Sequence, residues 1–134
     1  MINKYTLVFI LLAIAGLAYF FWQRSPLKSS ALYKIVPAAD FDKTNKKNCV
    51  KLSTLDKQDG FIHAAYGNQV ERIVAKFFKN ETKLLFLELD LNELQKNGTN
   101  IRPEPNKPGG TIFPHLYGTQ KIPLSAVKKI ISHN

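Results

Sequence analysis

Two short runs concentrate the residues whose types could do chemistry. Thr111–Gly118, Thr-Ile-Phe-Pro-His-Leu-Tyr-Gly, packs an imidazole, a phenol, a proline and a glycine into an otherwise apolar stretch. Asp59-Gly60-Phe61-Ile62-His63 is a second run of the same kind. The remaining histidine, His133, stands beside the last residue, where a chain end is expected to fray. Imidazole exchanges protons near neutral pH, donates hydrogen bonds to phosphate or ribose, and ligates metals. Metal is disfavoured here, because there is no His-x-x-x-His, no cysteine pair and no nearby carboxylate cluster. No Gly-x-Ser-x-Gly motif supports a hydrolase triad, and Pro108-Gly109-Gly110 lacks the Lys-Ser/Thr of a phosphate loop. The expectation is that His63 and His115 come together as a catalytic pair. The plainer account is that each is a half-buried strand residue satisfied by its neighbours.

Other residues frame the pair. Tyr117 could stack on a base or hydrogen-bond a ligand, or simply pack on a sheet. Arg102 and Glu104 could clamp a polar ligand, or pair with each other at the surface for only ~0–1 kcal/mol. Gly60 and Phe113 complete the expected ligand-binding set. Asp56 and Asp59 are expected to hold turn backbone. Cys49 is the single cysteine, so no internal disulfide is available, and it reads as a packing residue.

The elements that must position these residues follow from periodicity. Leu32–Val36 alternates as a strand, and Pro37 opens a short helix. Val50 and Leu52 suit a short extended piece, and Ser53–Asp56 a turn or a single helical turn. Phe61–Ala65 reads as one strand. Over Asn68–Lys79, Val70, Ile73, Val74, Phe77 and Phe78 repeat with the spacing of one buried helical stripe. Leu84–Leu91 is a strand with a leucine face; its other face should be buried only at the Leu84 and Phe86 end, leaving Glu88 and Asp90 outside. Leu91–Lys96 is a short helix stopped at Asn97-Gly98. Ile101–Arg102 is extended, and Pro103–Gly110 is too rich in proline and glycine for regular structure. Phe113–Gly118 follows, then a turn at Ser125–Val127 and a last strand over Val127–Ile131. The order is that of a small α+β domain with a split sheet.

Residues 5–22 carry no charge and lie between Lys4 and Arg24. At ~1.5 Å per residue they would extend about 27 Å, near the thickness of a bilayer core. Tyr19, Phe20, Phe21 and Trp22 stand where an interfacial aromatic belt would lie. The expected organisation is a transmembrane anchor over residues 1–24, a linker over 25–31 and the domain over 32–134. A cleaved signal peptide is the competing reading, with Ser29-Ser30-Ala31 as a small-x-small site. The excess of Arg24, Lys28 and Lys34 over Lys4 places the domain in the cytoplasm by the positive-inside rule. The chain of 134 residues carries a formal charge of +9. Its lysines are dispersed, and no RNA-binding aromatic signature or basic reading helix is present, which argues against nucleic acid as a partner.

At these residues the sequence resembles the domain of unknown function 952 family. The resemblance rests on Tyr33-Lys34-Ile35, Ser53-x-x-Asp56-x-x-Asp59-Gly60-Phe61-Ile62-His63, Glu88-Leu89-Asp90, Arg102-x-Glu104 and Phe113-Pro114-His115-Leu116-Tyr117-Gly118. It covers about residues 32–132 and departs at Ala64-Ala65, where the family usually shows Leu-Ser. The resemblance implies an ADP-ribosyltransferase-like fold, whose active members hold NAD in the cleft of a split sheet. It puts His115 near the place of those members' catalytic glutamate and leaves Lys34 at their first-strand His or Arg. It establishes no reaction. No cofactor is required by these residues, but an NAD-like or phosphorylated nucleotide is the expected ligand, either as substrate or as a ligand bound without turnover. A structural module whose histidines tie a loop to the sheet is the third reading.

Overall fold

A computed structural model describes residues 27–42 and 46–134, with Asn3, Thr6 and Ile10 besides. The predicted anchor at 5–22 therefore lies almost wholly outside the described residues. Among those described, no helix is long and apolar enough to cross a membrane.

Two antiparallel sheets form the frame. The first has the order β3-β1-β4-β7, with β1 Leu32–Pro37, β3 Ala65–Tyr66, β4 Leu84–Leu89 and β7 Val127–His133. The second has the order β2-β6-β5, with β2 Ile62–His63, β5 Asn100–Pro105 and β6 Ile112–Tyr117. Helices α1 Thr54–Asp59, α2 Val70–Phe77 and α3 Leu91–Lys96 join them. The α+β class follows the sequence reading.

The first sheet is buried on both faces along β1 and most of β4, more than the single buried face that alternation implies. Leu32, Val36, Leu87 and Leu89 face inward against Ile62 and Leu116 of the second sheet. Tyr33, Ile35, Leu84 and Phe86 face outward and are covered by Val70, Ile73, Val74 and Phe78. Glu88 is a correction: it is buried, not outside. It sits opposite Tyr33 in the middle of the sheet and meets Lys28 Nζ at 3.3 Å. The chain from Leu27 already belongs to this packing. Gly67 lets it do so: a Cβ there would stand 2.1 Å from the Lys28 carbonyl oxygen, and the Gly67 N–H donates to Ala31 O at 3.0 Å.

The expected helical stripe is cut short. Regular helix covers only Val70–Phe77, preceded by a 3-10 turn over Gly67–Gln69, and Phe77 is 61% exposed. Phe78 takes the packing place at the helix end, and Phe77 turns toward a cleft between α2 and the second sheet.

The single strand expected over Phe61–Ala65 is two strands. Ile62–His63 pairs with β6, while Ala65–Tyr66 pairs with β1, so the chain crosses from one sheet to the other at Ala64. The prolines are a further correction. Pro103 and Pro105 lie within β5, and only residues 106–111 are irregular. β5 is an edge strand, where a missing donor can face solvent. Pro114 stands in the middle strand β6, but opposite the point where β2 ends; its carbonyl accepts the Ala64 N–H at 3.2 Å. His133 is in β7, stacked on Phe86, and not at a loose end.

Candidate functional site

The second sheet sorts its side chains by alternation. Ile62 and Leu116 enter the core between the sheets. His63, His115, Phe113 and Tyr117 take the opposite face, joined across the strands by Arg102 and Glu104. His63 lies directly opposite His115. The neighbouring carbonyl, Pro114 O, bonds toward β2, so the backbone groups of His115 point to β5. The histidine pair is thus a non-hydrogen-bonded one, the kind that brings side chains closest. Their ring centroids are 5.7 Å apart. Phe61 lies against both, 4.7 Å from His63 and stacked 4.1 Å from His115. A cleft of about 1030 Å³ opens over this face, walled on the other side by β1, α1 and the end of α2.

His63 is held by a buried ionic chain. Its Nδ1–H donates to Asp56 Oδ1 at 2.9 Å, and its backbone N–H donates to the same oxygen at 2.9 Å. Asp56 Oδ2 accepts from Lys34 Nζ at 2.7 Å and from the Ser53 N–H at 3.0 Å. Lys34 Nζ also donates to the His63 carbonyl at 2.9 Å. Burial alone would raise the Asp56 carboxyl; the His63 hydrogen bond and the Lys34 charge outweigh it and hold the group well below the usual carboxylate range. Burial likewise lowers the Lys34 ammonium, and Asp56 offsets only part of that. The far nitrogen of His63, Nε2, faces Asp59 Oδ2 at 3.1 Å.

Local sequence explains the positioning. Ser53 caps α1 through a capping box with Asp56, so the aspartate is fixed by the helix start before it meets Lys34. Gly60 ends α1 in the left-handed region at φ +74°, which sends the chain straight into β2.

His115 has a second carboxylate. Its Nδ1–H donates to Glu104 Oε1 at 3.0 Å, and the Tyr117 hydroxyl donates to that same oxygen. Its Nε2 meets the Asn106 side-chain amide at 2.8 Å. The Tyr117 bond, then the His115 bond, lowers the Glu104 carboxyl, and the Tyr117 bond to Glu104 raises the phenol. Among the described residues, Glu104 Oε2 has no hydrogen-bond or ion-pair partner.

The expected site residues divide. His63, His115, Glu104, Tyr117 and Phe113 line the cleft together. Arg102 does not; its guanidinium lies over the Tyr117 ring at 4.5 Å, on an exposed edge. It does not pair with Glu104. Gly60 is outside the lining too and acts through the turn. Asp59 lines the cleft at His63 Nε2, beyond its expected role in the turn. Lys34, singled out only through the family resemblance, Asp56, expected only to hold a turn, and Asn106 were not among the expected site residues. A lysine on the inward, apolar face of β1 and the Ser53-x-x-Asp56 spacing were the available signals for the first two. Among the described residues, no cluster of three or more His, Cys, Asp or Glu is placed to hold a metal.

A family model described as "Protein of unknown function (DUF952)" matches residues 35–130. The chain belongs to the DUF952 family. The crystal structure of protein CC0527 from Caulobacter crescentus is 28% identical, with a TM-score of 0.63 over 78% of this chain and 87% of that one. A double mutant of CC0527 superposes with a TM-score of 0.64 at the same identity and coverage. The solution structure of CC0527 is 30% identical, with a TM-score of 0.59 over 75% of this chain and 82% of that one. No curated protein matches the chain. The span matched by the DUF952 model contains His63, His115, Asp56, Asp59 and Glu104; Lys34 precedes it by one residue. In this DUF952 domain two imidazoles, each backed by a carboxylate at Nδ1, turn their Nε2 atoms to different polar partners. Such a pair can move protons at two points of one bound molecule.

Proposed function

We propose that the cleft binds a ribose-bearing nucleotide such as NAD, ADP-ribose or a 2′-phosphorylated nucleotide, and acts on it through His63 and His115. The observation that carries this reading is the shared Glu104 oxygen: Tyr117 and His115 both bond Oε1, which leaves Oε2 to accept a ribose hydroxyl. In this reading the two facing sheets correspond to the split sheet of the ADP-ribosyltransferase-like fold. Glu104, reaching in from β5, supplies the carboxylate that the linear comparison of motifs does not supply at His115. His63, with Nδ1 held by Asp56, works through Nε2; His115, with Nδ1 held by Glu104, works through its own Nε2 once a ligand displaces Asn106. Phe61 and Tyr117 offer ring faces to a base. Residues 5–22 tether the domain to a membrane, with the domain on the cytoplasmic side; membrane fractionation of the full chain tests that tether.

A second reading has its own support. Both nitrogens of each histidine already meet protein groups. A site so fully satisfied suits ligand binding without turnover. One experiment separates the two. The full chain is titrated with NAD, ADP-ribose and a 2′-phosphorylated nucleotide in turn, with amide shifts followed by NMR and products by chromatography. Shifts centred on Gly60–His63 and Phe113–Gly118 with turnover that a His63→Ala, His115→Ala double variant lacks support catalysis. Saturable shifts without products support the binding module. No shifts at millimolar ligand reject both.

A further inference from the structure

The main cleft does not end at β6. Beside it lies a second hollow of about 440 Å³ between α2 and the turn that joins β5 to β6. The two share walls: Ile73, Phe77, Asn106 and Phe113 line both. Their linings differ in charge. The main cleft is lined by four acids, and each is already matched: Asp40 meets Lys51 at 2.6 Å, Asp56 meets Lys34, Asp59 meets His63 and Glu104 meets His115. Lys57 is the lining cation there that pairs with no acid among the described residues. The second hollow is lined by Arg72, Lys76 and Lys107 and by no acid at all. None of these three cations forms an ion pair among the described residues; Lys76 only lies 5.1 Å from the Phe77 ring.

The cations are brought together by two elements. Arg72 and Lys76 are one turn apart on α2, so they share a face. Lys107 comes from the β5–β6 turn, where its carbonyl accepts the Gly110 N–H at 2.9 Å. That turn is pinned beside α2, because Gln69 Nε2 donates to Ile112 O at 2.7 Å. Thr111 adds a hydroxyl to the same wall.

We propose that this second hollow is the phosphate-binding arm of the ligand site, which makes the ligand an elongated one with a ribose in the main cleft and its phosphate or pyrophosphate over Arg72, Lys76 and Lys107. The inference rests on the nucleotide reading above and narrows it to nucleotides carrying phosphate. Asn106 stands at the junction: it lines both spaces and bonds His115 Nε2. A phosphate entering the arm would draw the Asn106 amide toward itself and free that nitrogen. The same phosphate chemistry could come from a lipid headgroup, so the test separates the two sources.

The full chain, in nanodiscs of neutral phosphatidylcholine, is titrated with inorganic pyrophosphate, adenosine and ADP-ribose while amide shifts are followed. Pyrophosphate is expected to move Arg72, Lys76, Lys107 and Thr111, adenosine to move Gly60–His63, and ADP-ribose to move both sets. An Arg72→Gln, Lys76→Gln, Lys107→Gln triple variant is expected to bind ADP-ribose at least about tenfold more weakly, with adenosine unchanged and the thermal transition retained, since all three side chains are exposed. Adenosine shifts in the main cleft with unaltered ADP-ribose affinity in the triple variant would overturn the arm and leave the nucleotide reading standing. Pyrophosphate shifts without any nucleoside effect at Gly60–His63 would overturn the two-part ligand together with that reading. Shifts of the arm in nanodiscs enriched in phosphatidylglycerol, with none on adding ADP-ribose, would assign the cations to the lipid surface and overturn the proposal.

Discussion

Asp56 is the hub that joins the two sheets, and its removal should cost more than the loss of its lysine partner. Its carboxylate accepts four hydrogen bonds, from Lys34 Nζ, the Ser53 N–H, the His63 N–H and His63 Nδ1–H. The Lys34 and Asp56 side chains are 6% and 0% exposed. Breaking a buried ion pair by removing one partner costs ~3–5 kcal/mol, because the other charge is left unmatched. Asp56→Ala leaves the Lys34 ammonium in that state. It also removes one half of the capping box, worth about 1 kcal/mol. Lys34→Met leaves a carboxylate that still holds three N–H donors, keeps the stem's packing, and so should cost about 1–3 kcal/mol. The domain's total stability is expected to be ~5–15 kcal/mol, so Asp56→Ala approaches the limit of folding.

The assay is urea unfolding of the full chain followed by circular dichroism, on both single variants and the Lys34→Met, Asp56→Ala double. The double variant should recover stability relative to Asp56→Ala, since it no longer buries a lone ammonium. A Lys34→Met cost equal to or above that of Asp56→Ala, or strict additivity in the double, would refute the reasoning. The pH response carries the same sign. The folded Asp56 carboxyl titrates below its unfolded value of about 3.9. Its contribution is therefore complete above that value and is lost as pH falls beneath it toward the folded value. Asp56→Ala should flatten this acid limb of the stability profile.

Three further outcomes follow from separate contacts. In Glu104→Gln the Tyr117 phenol should titrate at lower pH than in the parent, because the bond to Glu104 is the leading cause of its rise; NMR of the tyrosine ring carbons reads it, and an unmoved Tyr117 argues against the shared oxygen. Leu87→Ala should cost ~2–5 kcal/mol at a fully buried position, whereas Phe77→Ala, 61% exposed, should cost under about 0.5 kcal/mol; equal losses on urea unfolding would contradict the assignment of the two faces. Gly67→Ala places a Cβ 2.1 Å from Lys28 O and should lower stability by ~1–3 kcal/mol while exposing residues 27–31 to limited proteolysis; unchanged melting and cleavage would mean that this stretch is not packed as described.

The legible parts of this fold were those set by local pattern. Period-two alternation located β1 and β4, and Asn97-Gly98 ended α3 where expected, because such signals act within a few residues. The pairing of His63 with His115 was expected from residue type, and β2 and β6 meet in the register that makes it so. What stayed hidden depends on contacts made across the chain. Nothing near Phe61–Ala65 announces that its hydrogen bonds go to two different sheets. The prolines of β5 suggested irregular chain because the sequence does not say which strand becomes an edge, where a missing donor is harmless. Phe77 fitted the helical stripe, yet the stripe's width is decided by how much of β1 and β4 the helix covers.

The Lys34–Asp56 support beneath the site failed to show itself for a related reason. A lysine in an apolar strand and an aspartate at a helix start are each ordinary alone. They become a single unit only when β1 and α1 are packed 22 residues apart in the chain, with His63 closing the third side. In the proposed function this dependence has a consequence. The orientation of His63 is set by Asp56, and Asp56 is set by both the α1 cap and Lys34, so the imidazole is held by the fold's core and not by its own two-residue strand. His115, in contrast, is held by Glu104 and Asn106, which lie at the exposed hairpin end. The first histidine is built to stay where it is, and the second has a partner, Asn106, that a ligand can reach. For the proposed catalysis, an asymmetric pair of this kind would supply one fixed and one adjustable imidazole on the same wall.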